Sequence, residues 1–255
     1  MKKFALWIES HIDLFSILFT QTSLKKCFST KTHNCWNLAC EYVKGLVTSP
    51  DKRNLTSIAD YCSPKNNQAF SHLLSQSPWE YRALLNWIRD SGLRQLGKNG
   101  ALVIDECGNP KAGTKSVGVQ RQYCGNIGKV ENSQVGVYLA YVKKGARLLI
   151  DYRLYLPKSW CSDPERCKRS GVPKSEQAFR TKGELALDMI FDAIHAGCRF
   201  THVCMDGFYG SQPWLLTKLE QNEVPYVADI QSGGHVYVTK PEYSIPPRKL
   251  SLIHI

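Results

Sequence analysis

The run Ala-Leu-Val-Ile-Asp at residues 101–105 decides how the rest of the chain is interpreted. It is short and apolar, which is typical of a buried strand, and it ends in a carboxylate. A second run, Thr-His-Val-Cys-Met at residues 201–205, is followed by Asp206 and Gly207. Ligands gather outside the carboxyl ends of strands in an open α/β sheet. Asp105 and Asp206 therefore form a candidate pair if the two strands are neighbours.

The segments around these two runs predict a mixed sheet. Residues 135–141 and 147–156 are rich in β-branched and aromatic side chains and flank a Lys-Lys-Gly turn, so the first three strands should form a meander. A capping box at residues 181–184 opens a helix that should end at Gly197. The remaining predicted elements are a helix at residues 213–221 and a fifth strand at residues 224–230. This order is typical of an α/β domain with a mixed sheet flanked by helices.

The first 95 residues predict a helical region. Apolar stripes at helical spacing run through residues 6–19 and 36–46. Short helices at residues 55–62 and 69–74, separated by a turn, are compatible with a helix-turn-helix, although any small helical bundle gives this spacing. The stretch Ser-Pro-Trp-Glu at residues 77–80 predicts the start of another helix, with the serine as its cap and the proline in its first turn.

Charge favours a polyanionic partner. The 255 residues contain 33 lysines and arginines against 22 acids, a net charge of +11, which favours nucleic acid first and an anionic membrane surface second. Residues 108–129 contain five glycines and no acid, so they predict a long cationic loop or loose hairpin. Residues 157–182 are irregular and also basic. The candidate phosphate contacts are Lys111, Lys115, Arg121, Lys129, Lys168, Arg169, Arg180 and Lys182, each with an ordinary solvated surface as the alternative.

The ten cysteines show no pairing rhythm and no two-residue spacing, so we interpret them as free thiols of a cytoplasmic protein. The apolar run after Lys3 is interrupted by Glu9 and Asp13, which argues against a signal peptide, and a membrane is not an expected partner. Four aromatic residues are candidates for stacking on an unpaired base, with core packing as the favoured alternative for most: Trp160, Phe208, Tyr209 and Trp214.

Four blocks of the chain resemble consecutive blocks of bacterial insertion-sequence transposases, in the branch called DDE superfamily endonucleases. The blocks are residues 103–111, 116–125, 179–182 and 205–210. The resemblance spans about residues 35–248, and its Arg-Gln-Tyr-Cys-Gly block at residues 121–125 is more specific than either aspartate. It implies a ribonuclease H-like fold in which the strands that precede Asp105 and Asp206 lie side by side.

The resemblance also implies a chemistry. Asp105 and Asp206 match the first two of three acids that hold two Mg²⁺ ions, with Mn²⁺ as a substitute, for in-line displacement at phosphorus. The implied partners are double-stranded DNA at transposon ends and at the target. A homodimer on DNA is compatible with this role, and the implied location is the bacterial cytoplasm, in association with the nucleoid.

No residue of this chain matches the family's third acid, a glutamate on a helix beyond the fifth strand. The acids considered and dismissed are Glu220, Glu223, Asp229 and Glu242. Glu106 follows Asp105 on an extended backbone, where adjacent side chains point apart. We expect it to face solvent or a lysine, with support of Asp105 as the alternative. The chain as given is therefore expected to be inactive.

We accordingly divide the chain into a helical DNA-binding region at residues 1–95 and an incomplete ribonuclease H-like domain at residues 96–249. Residues 250–255, Leu-Ser-Leu-Ile-His-Ile, are interpreted as a non-native tail, because a frame of the sequencing adapter CTGTCTCTTATACACATC encodes them. The expected function is metal-dependent cleavage and strand transfer at transposon ends. Two alternatives stay open: a non-catalytic DNA-binding remnant that inhibits the full enzyme, and another two-metal nuclease or phosphatase that uses the same aspartates.

Overall fold

The computed structural model describes residues 22–49, 54–62, 67–230 and 233. The helices are α1 (Thr22–Cys27), α2 (Trp36–Thr48), α3 (Leu55–Cys62), α4 (Asn67–Ser75), α5 (Tyr81–Leu96), α6 (Lys158–Cys161), α7 (Pro164–Arg169), α8 (Lys182–His195), α9 (Gly207–Gly210) and α10 (Pro213–Gln221). The strands are β1 (Gly100–Pro110), β2 (Gln120–Cys124), β3 (Lys129–Lys143), β4 (Ala146–Leu154), β5 (Phe200–Met205) and β6 (Tyr226–Ala228). The sequence patterns at residues 6–19, 63–66 and 250–255 lie outside the described residues.

These strands form one mixed sheet in the order β2-β3-β1-β5-β6, and β4 also pairs with β3. The pairs of β3 with β1, β2 and β4 are antiparallel, whereas β1 with β5 and β5 with β6 are parallel. The predicted meander is present, and the strands that precede Asp105 and Asp206 are neighbours. A mixed open sheet with flanking helices and a helical N-terminal region is the ribonuclease H-like architecture that the resemblance implies.

The main core lies between the sheet and α8, with α10 beside it. Strands β1 and β3 bury alternate residues such as Leu102, Ile104 and Leu139, as expected when one face of a sheet is covered. Met189 and Ile190 of α8 pack against them. The predicted capping box is present, because Thr181 and Glu184 satisfy each other's backbone N–H groups. Helix α8 therefore begins at the predicted position.

The segment at residues 77–80 differs from its prediction. Helix α5 begins at Tyr81, and its N-cap residue Glu80 makes no side-chain capping bond. Ser77 is instead bonded to His72 on α4, 3.1 Å from Nδ1, and the Trp79 indole donates to the carbonyl of Leu73 at 2.8 Å. Because these bonds tie the segment back to α4, it forms the connection between two helices and does not open the second.

The cationic segment at residues 108–129 is more regular than a loop. Strand β1 continues to Pro110 because β3 pairs with it as far as Ser133, and β2 forms a hairpin with the start of β3. Gly108 allows this close approach, since a Cβ there would lie 2.7 Å from Sγ of Cys124. The last strand, Tyr226–Ala228, is shorter than the predicted 224–230.

Candidate active site

Asp105 and Asp206 meet at one end of the sheet. The pairing between β1 and β5 ends at Ile104 and Met205, and an aspartate comes next in each chain segment. Asp206 follows β5, but Asp105 does not end its strand as predicted, because β1 stays paired with β3 as far as Pro110. Both side chains line one cleft of about 170 Å³, together with Glu106, Tyr123 and Lys182. The parallel register of two neighbouring strands therefore brings together acids that are about a hundred residues apart in the sequence.

Backbone N–H groups orient both carboxylates. Oδ1 of Asp206 caps α9 by accepting from the N–H groups of Phe208 (3.1 Å) and Tyr209 (3.3 Å). Oδ1 of Asp105 accepts from the N–H of Glu106 at 2.7 Å. Among the described residues, Oδ2 of neither aspartate has a hydrogen-bond donor. Each carboxylate is thus held through one oxygen and presents the other.

The charges in the cleft are only partly compensated. Burial raises the pKa of Asp105, and the negative charges of Glu106 and Asp206 raise it further, against the lowering effect of its backbone hydrogen bond. A hard divalent cation relieves such repulsion, and carboxylate oxygens are its preferred ligands. The donor set thus suits a divalent metal, which Asp105 and Asp206 would hold.

Glu106 faces a lysine, as one of the sequence-based alternatives predicted. Its Oε1 accepts from Nζ of Lys182, the first residue of α8, at 2.8 Å. Its Oε2 and the hydroxyl of Tyr209 are both buried without a hydrogen-bond partner among the described residues. Burial and the nearby charge of Glu106 raise the pKa of Tyr209, so that its hydroxyl keeps its proton at neutral pH. Glu106 therefore fixes Lys182 at the cleft.

A third acid does not join the pair. In the described residues there is no group of three or more histidine, cysteine or acidic side chains placed to hold one metal ion. Glu220 accepts from the Tyr226 hydroxyl at 2.7 Å, and Glu223 lies in the turn after α10. Asp229 directly follows β6, and its N–H donates to the carbonyl of Met205. Glu242 lies outside the described residues.

Among the candidate phosphate contacts, Lys182 alone lines the cleft. Arg121 and Lys129 lie on the β2–β3 hairpin, close to Glu131, with Lys129 Nζ 3.5 Å from it. Arg180 forms an ion pair with Asp188. The candidate cations without an acidic partner among the described residues are Lys111, Lys115, Lys168 and Arg169.

These last four cations belong to two segments that pack together. The Arg166 guanidinium on α7 donates to the carbonyl of Thr114 at 2.9 Å and lies 3.6 Å from the centre of the Trp160 ring. The Trp160 indole donates to the carbonyl of Val119 at 2.8 Å. The connection after β1, with Lys111 and Lys115, is thereby held against the α6–α7 segment, with Lys168 and Arg169.

The structure separates the four aromatic candidates. Trp160 and Tyr209 are fully buried, which confirms core packing, whereas Phe208 and Trp214 are 43% and 42% exposed. The sequence analysis missed Tyr123, which is 64% exposed and lines the cleft beside the aspartates. Its place in the Arg-Gln-Tyr-Cys-Gly block was the available signal.

The sequence was also compared with protein families, with curated proteins and with solved structures. Residues 23–251 match the profile of the DDE superfamily endonucleases. The chain belongs to this family. It is 30% identical over 196 residues to the "Probable transposase for insertion sequence element IS701" of Microchaete diplosiphon. That match covers 76% of this chain and 48% of the relative, so this DDE family member spans about half the length of the curated relative it matches. No solved structure matches it, and in its described part no helix is long and apolar enough to cross a membrane.

Proposed function

We propose that this chain is part of a DDE transposase that cleaves DNA at the ends of an insertion sequence and transfers the cut strand to a target. The observation that carries the proposal is the pair Asp105 and Asp206. Asp105 lies in β1 where its pairing with the parallel strand β5 ends, Asp206 follows β5, and both line one cleft. Acids that serve only a structural role are normally paired or hydrogen-bonded with a cation, whereas among the described residues neither of these aspartates has an ion-pair partner and Lys182 is paired with Glu106.

Asp105 and Asp206 are the metal ligands in this proposal, with Mg²⁺ as the ion and Mn²⁺ as its substitute. When bound, two such ions activate the attacking oxygen and stabilise the leaving 3′ oxygen of a phosphodiester. The protein's own contribution is orientation: the N–H groups of Phe208, Tyr209 and Glu106 hold the carboxylates in place before DNA arrives. The complete site requires a third acid, which we assign to a residue outside the described ones.

Lys182 is the proposed contact to the phosphate at the cleft. Its ammonium group lies at the cleft that the two aspartates line, and Glu106 keeps it in one position. The two carboxylates repel an approaching DNA phosphate unless cations are present. Lys182 and a bound metal would both reduce this repulsion. The four cations without acidic partners extend the contact along the α6–α7 segment, where they supply affinity rather than sequence choice.

DNA at transposon ends and at the target is the proposed substrate, and residues 1–95 are the proposed DNA-binding region. The net charge of +11 supports a polyanionic partner. Helices α2, α3 and α4 pack around Ile58, Ala59 and Phe70 and form a small unit suited to this role. A homodimer, with one copy at each transposon end, is the proposed assembly, and the bacterial nucleoid is its place of action.

The decisive test compares aspartate variants in the longer enzyme from the native element. Asp105→Asn and Asp206→Asn keep the side-chain volume but remove the charge that holds the metal. Each should lower cleavage of a transposon-end duplex by about 1000-fold or more, while salt-dependent DNA binding survives. Glu176→Gln, which changes an exposed acid outside the cleft and outside residues 1–95, is the control and should cleave like the wild type. Cleavage that persists in either cleft variant would contradict the metal role.

The same assay on the 255-residue chain distinguishes the alternative functions. We expect it to bind the duplex and to cleave at background rates with Mg²⁺ or Mn²⁺, because in the described residues no third acid is placed with Asp105 and Asp206 to hold a metal ion, and Glu106 is paired with Lys182. Binding without cleavage that also inhibits the longer enzyme is the behaviour of a non-catalytic remnant. Metal-dependent cleavage of unrelated DNA with equal efficiency is the behaviour of a general nuclease.

A further inference from the structure

The β2–β3 hairpin, residues 120–133, presents a tyrosine ring to the cleft. Tyr123 is 64% exposed, which is high for an aromatic residue, yet it lines the same cleft as Asp105 and Asp206. It lies in the wall of the cleft rather than on a remote surface. Any nucleotide whose phosphate reaches the two aspartates therefore places its neighbouring atoms within reach of this ring.

The exposure of Tyr123 is built into a well-braced element. The next residue, Cys124, is fully buried and packs closely against Gly108 of β1. Farther along the chain the Asn126 amide donates to the carbonyl of Gly108 at 2.8 Å, and before Tyr123 the Gln122 amide donates to the carbonyl of Ser133 at 2.9 Å. The segments on both sides of Tyr123 are thus anchored, so the hairpin that carries the ring has a defined place beside the cleft.

The neighbours of Tyr123 show what kind of surface it belongs to. Val130 is its cross-strand partner and is 51% exposed, and Ile127 in the intervening turn is 41% exposed. Arg121 lies two residues before Tyr123 on β2, so the two side chains are on the same face of the hairpin. An exposed apolar ridge beside a cation fits a ligand with flat apolar faces and an anionic backbone, which is the chemistry of a nucleic acid with an unpaired base.

A base within a duplex cannot stack on this ridge, because both faces of the base are covered by the neighbouring base pairs. An unpaired base offers one free face to an aromatic ring. Phe208, the other exposed ring near the cleft, is already contacted by Lys182 Nζ, 5.0 Å from its centre, and by the Tyr209 ring. In the described residues Tyr123 is therefore the cleft aromatic that is free to take a base.

We propose that Tyr123 stacks on an unpaired nucleobase of the nucleotide beside the phosphate at Asp105 and Asp206. Ile127 and Val130 extend the apolar contact, and Arg121 holds the adjoining phosphate. This inference rests on the proposed function and adds a requirement to it: the DNA must be locally unpaired next to the cleaved bond. Tyr123 would then help to select the position of cleavage.

The test measures DNA binding by the 255-residue chain in the absence of divalent ions, so that no cleavage accompanies binding. The probes are a duplex of about 20 base pairs and the same duplex with a short forked end, each with 2-aminopurine at the position that is first unpaired in the fork. Wild-type protein should prefer the fork and change the fluorescence of its 2-aminopurine on binding. Tyr123→Ala should weaken fork binding between about 5-fold and 100-fold and leave duplex binding unchanged, whereas Tyr123→Phe should keep the preference.

The control is Leu149→Ala, which removes an exposed apolar side chain on β4 that does not line this cleft. It should bind both probes like the wild type. If Tyr123→Ala retains the preference for the fork, or if the wild type binds both probes equally with a normal salt dependence, the base contact is wrong and the proposed function stands. If the wild type binds neither probe at low salt, both proposals are wrong.

Discussion

Two acidic clusters on the same sheet have opposite charge arrangements. The first is the cleft cluster of Asp105, Glu106, Asp206 and Lys182, in which three carboxylates line the cleft with one lysine, and that lysine is paired with Glu106. The second, which we call the arginine–aspartate network, consists of Arg82, Asp151, Arg153 and Asp192, in which two carboxylates meet two guanidinium groups. Both clusters place an acid on a strand of the sheet, Asp105 on β1 and Asp151 on β4, so a position on a strand alone does not distinguish them.

The arginine–aspartate network joins three elements. Arg82 of α5 donates to Oδ1 of Asp151 on β4 at 2.5 Å, and Arg153 lies 3.2 Å from Oδ2 of the same carboxylate. Arg153 also contacts Asp192 on α8. Asp151 is buried, and both of its oxygens are satisfied. The network therefore fixes the helical region against the sheet.

The two clusters differ in exposure as well as in charge compensation. In the network Asp151 is buried, and every buried charge has an opposite charge within hydrogen-bond distance, which is the condition for burying it without a large cost. In the cleft cluster Asp105 and Asp206 are exposed, and neither has an ion-pair partner among the described residues. Partial burial, and then the charges of Glu106 and Asp206, raise the pKa of Asp105, and a cationic ligand would relieve that repulsion.

The largest expected effect on stability comes from breaking the network. Asp151→Ala leaves Arg82 and Arg153 without their shared partner and should lower the free energy of unfolding by about 3 kcal/mol. Urea denaturation measures this loss. Asp60→Ala, on the exposed side of α3, is the control and should change stability by less than about 0.5 kcal/mol. A loss for Asp151→Ala as small as that of the control would mean that the network is not what holds α5 to β4.

A smaller effect is expected from the half-buried pair in the cleft. Lys182→Met removes the one cation beside three carboxylates and should cost about 1 to 2 kcal/mol of stability. Glu106→Gln in the same chain should restore most of that loss, because the charge that Lys182 compensated is then gone. A double-mutant cycle by urea denaturation gives the coupling. Additive losses in the double variant would show that the two side chains do not stabilise each other.

The smallest expected effect on stability is a gain rather than a loss. Asp105→Asn removes a carboxylate whose pKa is raised by burial and by like charges, so the variant should melt slightly above the wild type in metal-free buffer at neutral pH. A raised pKa means that the penalty is absent below the ordinary pKa of the group. It develops as pH rises through the folded-state pKa and is complete above it.

The melting-temperature difference between Asp105→Asn and the wild type should therefore vanish near about pH 3 and reach its full value by about pH 7. The N–H of Glu106 can still donate to the asparagine oxygen, so its hydrogen bond does not obscure the comparison. A variant that melts below the wild type at neutral pH would mean that the cleft acids are compensated after all, as those of the network are.

Local sequence signals determined the elements that depend on nearby residues. The helix at 213–221 has the predicted bounds, and the capping box at residues 181–184 opens α8, because propensity and capping act within one or two helical turns. The apolar runs before Asp105 and Asp206 predicted two strands. Their adjacency was expected only through the resemblance to insertion-sequence transposases, and the β1–β5 pairing confirms it.

Only the tertiary structure decided which distant residues meet. Arg82 and Asp151 are 69 positions apart, and Lys182 and Glu106 are 76 apart, so no local pattern pairs them. Residues 77–80 carried a valid start signal for a helix, but bonds to α4 took precedence over it. Tyr123 belonged to a segment predicted as a cationic loop or loose hairpin, and only the pairing of β2 with β3 shows that it lines the cleft. The physical reason is the same in each case: burial, charge compensation and exposure belong to the packed chain, whereas the sequence by itself determines local conformational preference.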